Sequence, residues 1–213
     1  RMISPHVCFI SEAIMAPEDV TNMISPRAAA VAYRPLLPAG MWSALSTADT
    51  TIMSYQLYRF SRLQAGCTWI NYVNCHDDLH WVLSNRALKE QFPQGREHEI
   101  YAHVLRFYCN RQDQSFARGL IFQRDRISGT TASLAGVEKA LETKKNDALN
   151  RAIDRIIMMH GIVLSLGGMP MLFLGDEVAQ LNDYSYRTDP VKRKDSRWVH
   201  RPHKNWFKYR IEL

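Results

Sequence analysis

The chain predicts an α/β fold built on a parallel sheet. Four short apolar runs are rich in β-branched and aromatic residues, helical periodicity fills the stretches between them, and carboxylates stand where three of the runs end. Buried strands that alternate with helices pair in parallel, because a parallel connection must cross over and a helix covers the sheet as it does so. Four such strands make half of an eight-stranded (β/α)8 TIM barrel, and an open sheet satisfies the same pattern. In barrels the chemistry gathers at the carboxyl ends of the strands, where Glu12, His76, Asp77, Asp78, Asp176 and Glu177 all fall in this reading.

The first run, His6 to Ile10, reads as a buried strand that ends in Ser11-Glu12-Ala13. Pro17-Glu18-Asp19 has the proline and acids of a helix first turn, and Val20, Met23 and Ile24 give that helix an apolar face. Ala28 to Tyr33 is the second strand, closed by the breaker Pro35, and Ser43 to Leu63 carries helical periodicity through Leu45, Ile52, Tyr55 and Leu57. Thr68 to Asn74 is the clearest strand and runs straight into Cys75-His76-Asp77-Asp78. From Leu79 to about Leu141 the pattern weakens around Pro93, Gly95 and the turn Asp113 to Gly119, so the segment reads as a loop-rich insertion. Asp147 predicts the cap of an amphipathic helix reaching about Leu166, with Ile153, Ile156, Ile157, His160 and Val163 inward and Gly167-Gly168 as its stop. Met169 to Leu174 is the last buried strand, ending in Gly175-Asp176-Glu177. The predicted division is 1–78 for three strands with their helices, 79–141 for the insertion, and 142–213 for the last helix and strand with the following loop.

Composition narrows the classes. The 213 residues are 46% hydrophobic and 23% charged, the balance of one large or two small globular domains rather than a disordered chain. Cys8, Cys67, Cys75 and Cys109 lack CxxC spacing and sit among apolar neighbours, which points to a reduced, cytoplasmic setting. The apolar stretch from Gly161 to Leu174 is broken by Gly167, Gly168 and Pro170 and falls short of the roughly 18 residues of a membrane span. No signal-like segment opens the chain, which begins at Arg1, so the start of the polypeptide is expected upstream. The net charge of +6 comes largely from a tail where Lys192, Arg193, Lys194, Arg197, Arg201, Lys204, Lys208 and Arg210 alternate with Trp198, Trp206 and Phe207. That interleaving suits nucleic acid, but a solvated face with packed tryptophans is the favoured reading, and no nucleic-acid or membrane partner is expected.

Glycosidic cleavage needs a proton donor for the leaving oxygen and a carboxylate that supports positive charge at the anomeric carbon. Glu12, partly desolvated on an apolar strand end, suits the first task; Asp77, kept ionised by hydrogen bonds beside His76 and Asp78, suits the second. Helix capping is the alternative for each, and the stronger one for Asp176-Glu177. His76 and His80, four apart, suggest a metal-dependent phosphohydrolase as a rival; the strand-like residues before His76 oppose it, and no metal or other cofactor is expected. His160 reads as a core histidine.

With these segments in view, the sequence resembles the amylosucrase branch of the α-amylase family, glycoside hydrolase family 13, over nearly its whole length. Ser11-Glu12-Ala13-Ile14 resembles the acid/base strand end, and Asn71-Tyr72-Val73-Asn74-Cys75-His76-Asp77-Asp78 the third-carboxylate motif. Ser115 to Gly119, Ser128-Gly129-Thr130, Gly168 to Glu177 and Asp195 to Pro202 are similar to the amylosucrase branch in particular. The resemblance implies the second half of a barrel, about strands 5 to 8, and transfer of glucose from sucrose to an α-glucan or small-sugar acceptor with retained configuration.

Glu12 would then protonate the departing fructosyl oxygen, Asp77 would grip the glucosyl hydroxyls, His76 would bond the same ring, Asp78 and Arg118 would hold the fructosyl or acceptor ring, and Arg197 would close the pocket floor through a salt bridge to an upstream acid. The family's nucleophilic carboxylate lies on the strand before the one that ends in Glu12, so the chain alone is expected to be inactive: a fragment, a divided subunit that needs the other barrel half, or a degenerate relative. Ile10 replaces the family's lysine, and Tyr33-Arg34-Pro35-Leu36-Leu37 partly follows its Tyr-Asn-Pro-Leu-Gln run. Sucrose hydrolysis and carbohydrate binding without turnover are the alternatives.

Overall fold

The four apolar runs form strands, and a computed structural model describes residues 7–13, 17–59, 63–79, 97–109 and 114–203. The strands are β1 (Phe9–Ser11), β2 (Ala29–Tyr33), β3 (Thr68–Tyr72) and, after a hairpin of β4 (Leu120–Phe122) and β5 (Arg126–Ser128), β6 (Met169–Met171). One sheet has the order β1-β2-β3-β6, with every pairing parallel; Val31 faces Thr68 and Ile70 faces Met169. Among the described residues the sheet stays open, and no closed barrel is seen.

Burial follows position in the sheet. Trp69, Ile70, Asn71 and Tyr72 of the inner strand β3 are all buried, while the edge strands leave Phe9 50%, Ile10 52% and Met169 43% exposed. The burial expected for the first and last strands is therefore not found, because an edge strand has a neighbour on one side only.

Helix α1 (Pro17–Met23) carries Val20 into a cluster with Ile24, Ala32 and Trp69, which Leu63 and Cys67 complete. Pro35 ends the second strand and at once precedes α2 (Leu36–Thr47), whose first eight residues are buried. Trp42 is fully enclosed and its indole Nε1 donates to the Val73 carbonyl at 3.0 Å. The single helix expected over Ser43 to Leu63 is in fact α2 and α3 (Thr51–Arg59). Ala48, at φ 55° and ψ 28°, takes the left-handed conformation that stops the first, and Asp49 Oδ1 accepts the Thr51 N–H at 2.8 Å to start the second.

The stretch read as loop-rich holds α4 (Glu97–Tyr108), the hairpin, α5 (Thr131–Ala135) and α6 (Val137–Glu142); residues 80–96, with Pro93, Gly95 and His80, lie outside the described residues. Gly136, at φ 106°, separates α5 from α6, where a side chain would be strained and its Cβ would sit 3.1 Å from that of Phe116. Helix α7 (Asn146–Ser165) buries Ala152, Met159 and Val163, with Ile153 40% and Ile157 64% exposed, so its inner face is rotated from the one expected.

The chain divides into two compact units, residues 1–73, 80–101 and 160–171 in the first, and 74–79, 102–159 and 172–213 in the second. The first holds the parallel sheet. The second is organised on the hairpin and on a cluster of Ala132, Val137 and Ala152 with Leu149, Ile156 and Leu181. Among the described residues no helix is long and apolar enough to cross a membrane.

Candidate functional site: a carboxylate held by two arginines

Beyond β3 the chain enters the second unit as a bend carrying His76 and Asp77. Its two ends are tied down. Asn74, buried, accepts the Cys75 N–H at 2.9 Å on its own Oδ1 and donates through Nδ2 to the Gly129 carbonyl at 2.8 Å. Leu79 pairs with Ile127, its N–H donating to the Ile127 carbonyl at 2.8 Å. His76 therefore sits in a bend rather than on a helix, which removes the helical spacing that the metal rival requires of it.

A short 3-10 helix, Ser196–His200, supplies the other half of the site. Asp195 caps it by accepting the Arg197 N–H at 3.0 Å, and Ser196 Oγ donates to the Ile121 carbonyl on the hairpin at 3.0 Å. The Arg197 guanidinium lies 4.5 Å over the Phe122 ring and grips Asp195 with both edges, Nε to Oδ1 at 3.0 Å and NH2 to Oδ2 at 2.8 Å. Its NH1 donates to Asp77 Oδ1 at 3.2 Å. Arg201 NH2 reaches the same Oδ1 at 3.0 Å, while its Nε donates to the His76 carbonyl at 2.5 Å. One carboxylate oxygen of Asp77 is thus held by two cations. The other, Oδ2, lies 3.8 Å from His76 Nε2, too far for a direct hydrogen bond.

His200 fixes the same bend from behind. It is fully buried, edge-on to Phe173, and its Nε2 meets the His76 carbonyl at 3.1 Å. A carbonyl only accepts, so Nε2 carries the proton, and Nδ1 is buried with no hydrogen-bond partner among the described residues. Burial pushes this imidazole down to about 4, because the charged form would bring a second N–H into that enclosed position. The Arg197 hydrogen bonds hold Asp195 below the usual carboxylate range.

The remaining predicted residues have these local surroundings. Asp78 is turned inward, its side chain 2% exposed, with Oδ2 3.5 Å from Arg126 NH1; burial raises its carboxyl and the Arg126 charge opposes that. Arg118 engages Glu142, Nε to Oε2 at 2.9 Å, and among the described residues no contact joins it to Asp77 or Asp78. Glu12 follows β1 in the first unit and is exposed, so the desolvation expected of it is not found. Glu177 Oε2 accepts the Gly175 N–H at 2.7 Å, at the start of the short 3-10 helix Asp176–Val178. For Arg197 the acids are Asp77 and Asp195.

Arg201, His200, Asp195 and Phe122 carry weight that sequence reasoning did not assign. Residues 195–202 stood out for a family resemblance and for Arg197 alone, and no spacing rule connects position 77 with Arg201, 124 residues later. No protein-family model matches the chain.

Proposed function

We propose that these residues belong to a retaining α-glucoside enzyme of the amylosucrase kind, which moves glucose from sucrose to an α-glucan or small-sugar acceptor. The observation that carries the reading is the Asp77 carboxylate: Oδ1 is anchored by Arg197 and Arg201, while Oδ2 and His76 Nε2 lie side by side. A carboxylate with one oxygen fixed by cations holds its other oxygen in a set direction, as a group that takes a sugar hydroxyl and supports an oxocarbenium-like state must do. The strand order supports the reading too. It follows chain order without the reversal of a doubly wound sheet, and the segments with Glu12 and with His76-Asp77 each follow the carboxyl end of a parallel strand, as in half of a (β/α)8 barrel.

In this mechanism Glu12 protonates the departing fructosyl oxygen and then takes the proton of the acceptor hydroxyl, while Asp77 and His76 hold the glucosyl ring. The nucleophilic carboxylate comes from outside these 213 residues. Asp78, enclosed against Arg126, shapes the bend from the protein side rather than touching sugar.

The test is release of fructose from sucrose by these residues joined to, or mixed with, the polypeptide that supplies the nucleophile. Turnover that falls at least 1,000-fold in Asp77→Asn supports glucosyl transfer or its hydrolytic variant, separated by whether glucan or free glucose accumulates. Sucrose binding without fructose release in every combination would replace the enzyme with a carbohydrate-binding module.

A further inference from the structure

The second unit contains a cavity of about 300 Å³ at the corner between α6 and α7. Its chemistry is one-sided. Lys139, Lys145, Arg151 and Arg155 line it together with Ser115 and Thr143, and among the described residues no acidic residue does. Among the described residues no carboxylate forms an ion pair with any of the four cations, although Asp147 and Asp154 lie on the same helix.

The cations are not loosely splayed. The Arg155 guanidinium packs 3.8 Å over the Phe116 ring and spends NH1 on the Ala135 carbonyl at 3.0 Å, which fixes its plane; among the described residues Nε and NH2 make no hydrogen bond. Lys139 Nζ is drawn to the Ser115 carbonyl. Arg151 precedes Arg155 by four residues and so shares its face of α7, an arrangement of like charges that costs stability when nothing lies between them. Burial, and then the Arg151 charge, lowers the Arg155 guanidinium from its ordinary value. Lys145 stands immediately before the first turn of α7, whose exposed N–H groups add partial positive charge at that end of the cavity.

We infer that this cavity binds the phosphate group of a small phosphorylated ligand, held bidentately by the Arg155 fork with Arg151, Lys139 and Lys145 around it. Phosphate fits because planar guanidinium donors match its oxygens in pairs, and because its negative charge offsets cations that, among the described residues, no carboxylate pairs with. A volume of about 300 Å³ admits phosphate with a single sugar ring and is too small for a nucleic-acid duplex. The site shares no residue with the Asp77 cluster and stands whether or not the glucosyl-transfer reading does.

The experiment is calorimetric titration of the whole chain with inorganic phosphate and, separately, with glucose 6-phosphate, at physiological salt. Saturable one-site binding is expected, weakened about tenfold or more in Arg151→Gln and in Lys145→Gln; both positions are exposed, so folding should be untouched. Arg155→Gln should weaken it further, and phosphate-dependent protection of the 136–151 amides from hydrogen exchange reads the same site without any variant. Tighter binding of the sugar phosphate identifies a phosphomonoester as the occupant; equal binding identifies the phosphate ion itself. No saturable binding of either probe, or binding indifferent to both exposed substitutions, would overturn the inference.

Discussion

At the scale of single residues, the second unit concentrates its polar energetics on one carboxylate and one carbonyl. Arg201 bonds both, so Arg201→Met should cost about 1–2 kcal/mol of stability, the value of charge-assisted hydrogen bonds discounted for partial exposure. A urea-unfolding cycle with Asp77→Asn should return a coupling of about 1 kcal/mol, and a coupling near zero would mean that the pair is only a surface contact. His200 makes a separate prediction in pH. Its folded value of about 4 lies below the roughly 6.5 of an unfolded histidine, so between these values the unfolded chain binds the extra proton. Its contribution is complete above pH 6.5 and is lost as pH falls toward 4, by up to about 1.4 kcal/mol per pH unit. Gln can still donate to the His76 carbonyl but cannot titrate. His200→Gln should therefore flatten the acid limb of the stability profile by about one proton; parallel profiles for the two proteins would sink the assignment. None of this was legible beforehand, since the shift depends on enclosure by Phe173 and the bend, neither of which leaves a mark in residues 196–200.

At the scale of elements, what the sequence showed and what it hid divide along local chemistry. The central strands were legible because β-branched and aromatic residues crowd Thr68 to Tyr72 and Ala29 to Tyr33. The break between α2 and α3 was not, because an alanine rather than a glycine takes the left-handed position that ends a helix. That choice is itself strained, and Ala48→Gly should raise stability by about 0.5–1 kcal/mol in thermal or urea unfolding. The short elements after β3 escaped notice for a different reason. Five or six residues, as in α5 and α6, are less than two turns, too few for a period to show, and such pieces hold only through tertiary packing. Gly119 marks how tight that packing is. A Cβ there would stand 2.8 Å from the Tyr108 carbonyl oxygen, 2.9 Å from Leu134 Cδ2 and 3.0 Å from Ile127 Cγ2. Gly119→Ala should cost about 1–3 kcal/mol as an overpacked core site, and a neutral result would show that the hairpin yields to make room. Helix α7 was found to within a residue or two at each end, yet its inner face was misjudged: apolar residues lie on more than one side, and Ala152 and Met159 are buried ahead of Ile153 and Ile157.

At the scale of the whole molecule, many large apolar side chains among the described residues are exposed. Phe9 and Ile10 stand half exposed on the edge strand β1, Leu172 and Leu174 after β6 are 60% and 49% exposed, and α7 presents Ile157 and Leu164 at 64% and 62%. Covering each such side chain is worth roughly 1 kcal/mol, from the 1.5–3 kcal/mol of full burial scaled by the exposed fraction, so several together can offset the cost of association. The edges add backbone groups ready to pair with another strand. A family-like barrel half would expose this kind of surface, and the acidic strand ends that suggested the barrel were readable in the sequence, whereas the exposure of strands that read as buried was not. Composition records that a residue is apolar but not whether its neighbour belongs to the same chain. The chain should therefore self-associate at micromolar concentration, seen as a mass above 24.6 kDa that rises with loading in size-exclusion chromatography with light scattering. Ile10 is the place to test the cause, because a lysine there puts a charge on the exposed edge without disturbing a buried contact. Ile10→Lys should shift the profile toward the monomer if the β1 edge drives association. If the mass distribution does not move, the exposed face of α7 becomes the contact, and Ile157→Lys is the substitution that should then release the monomer.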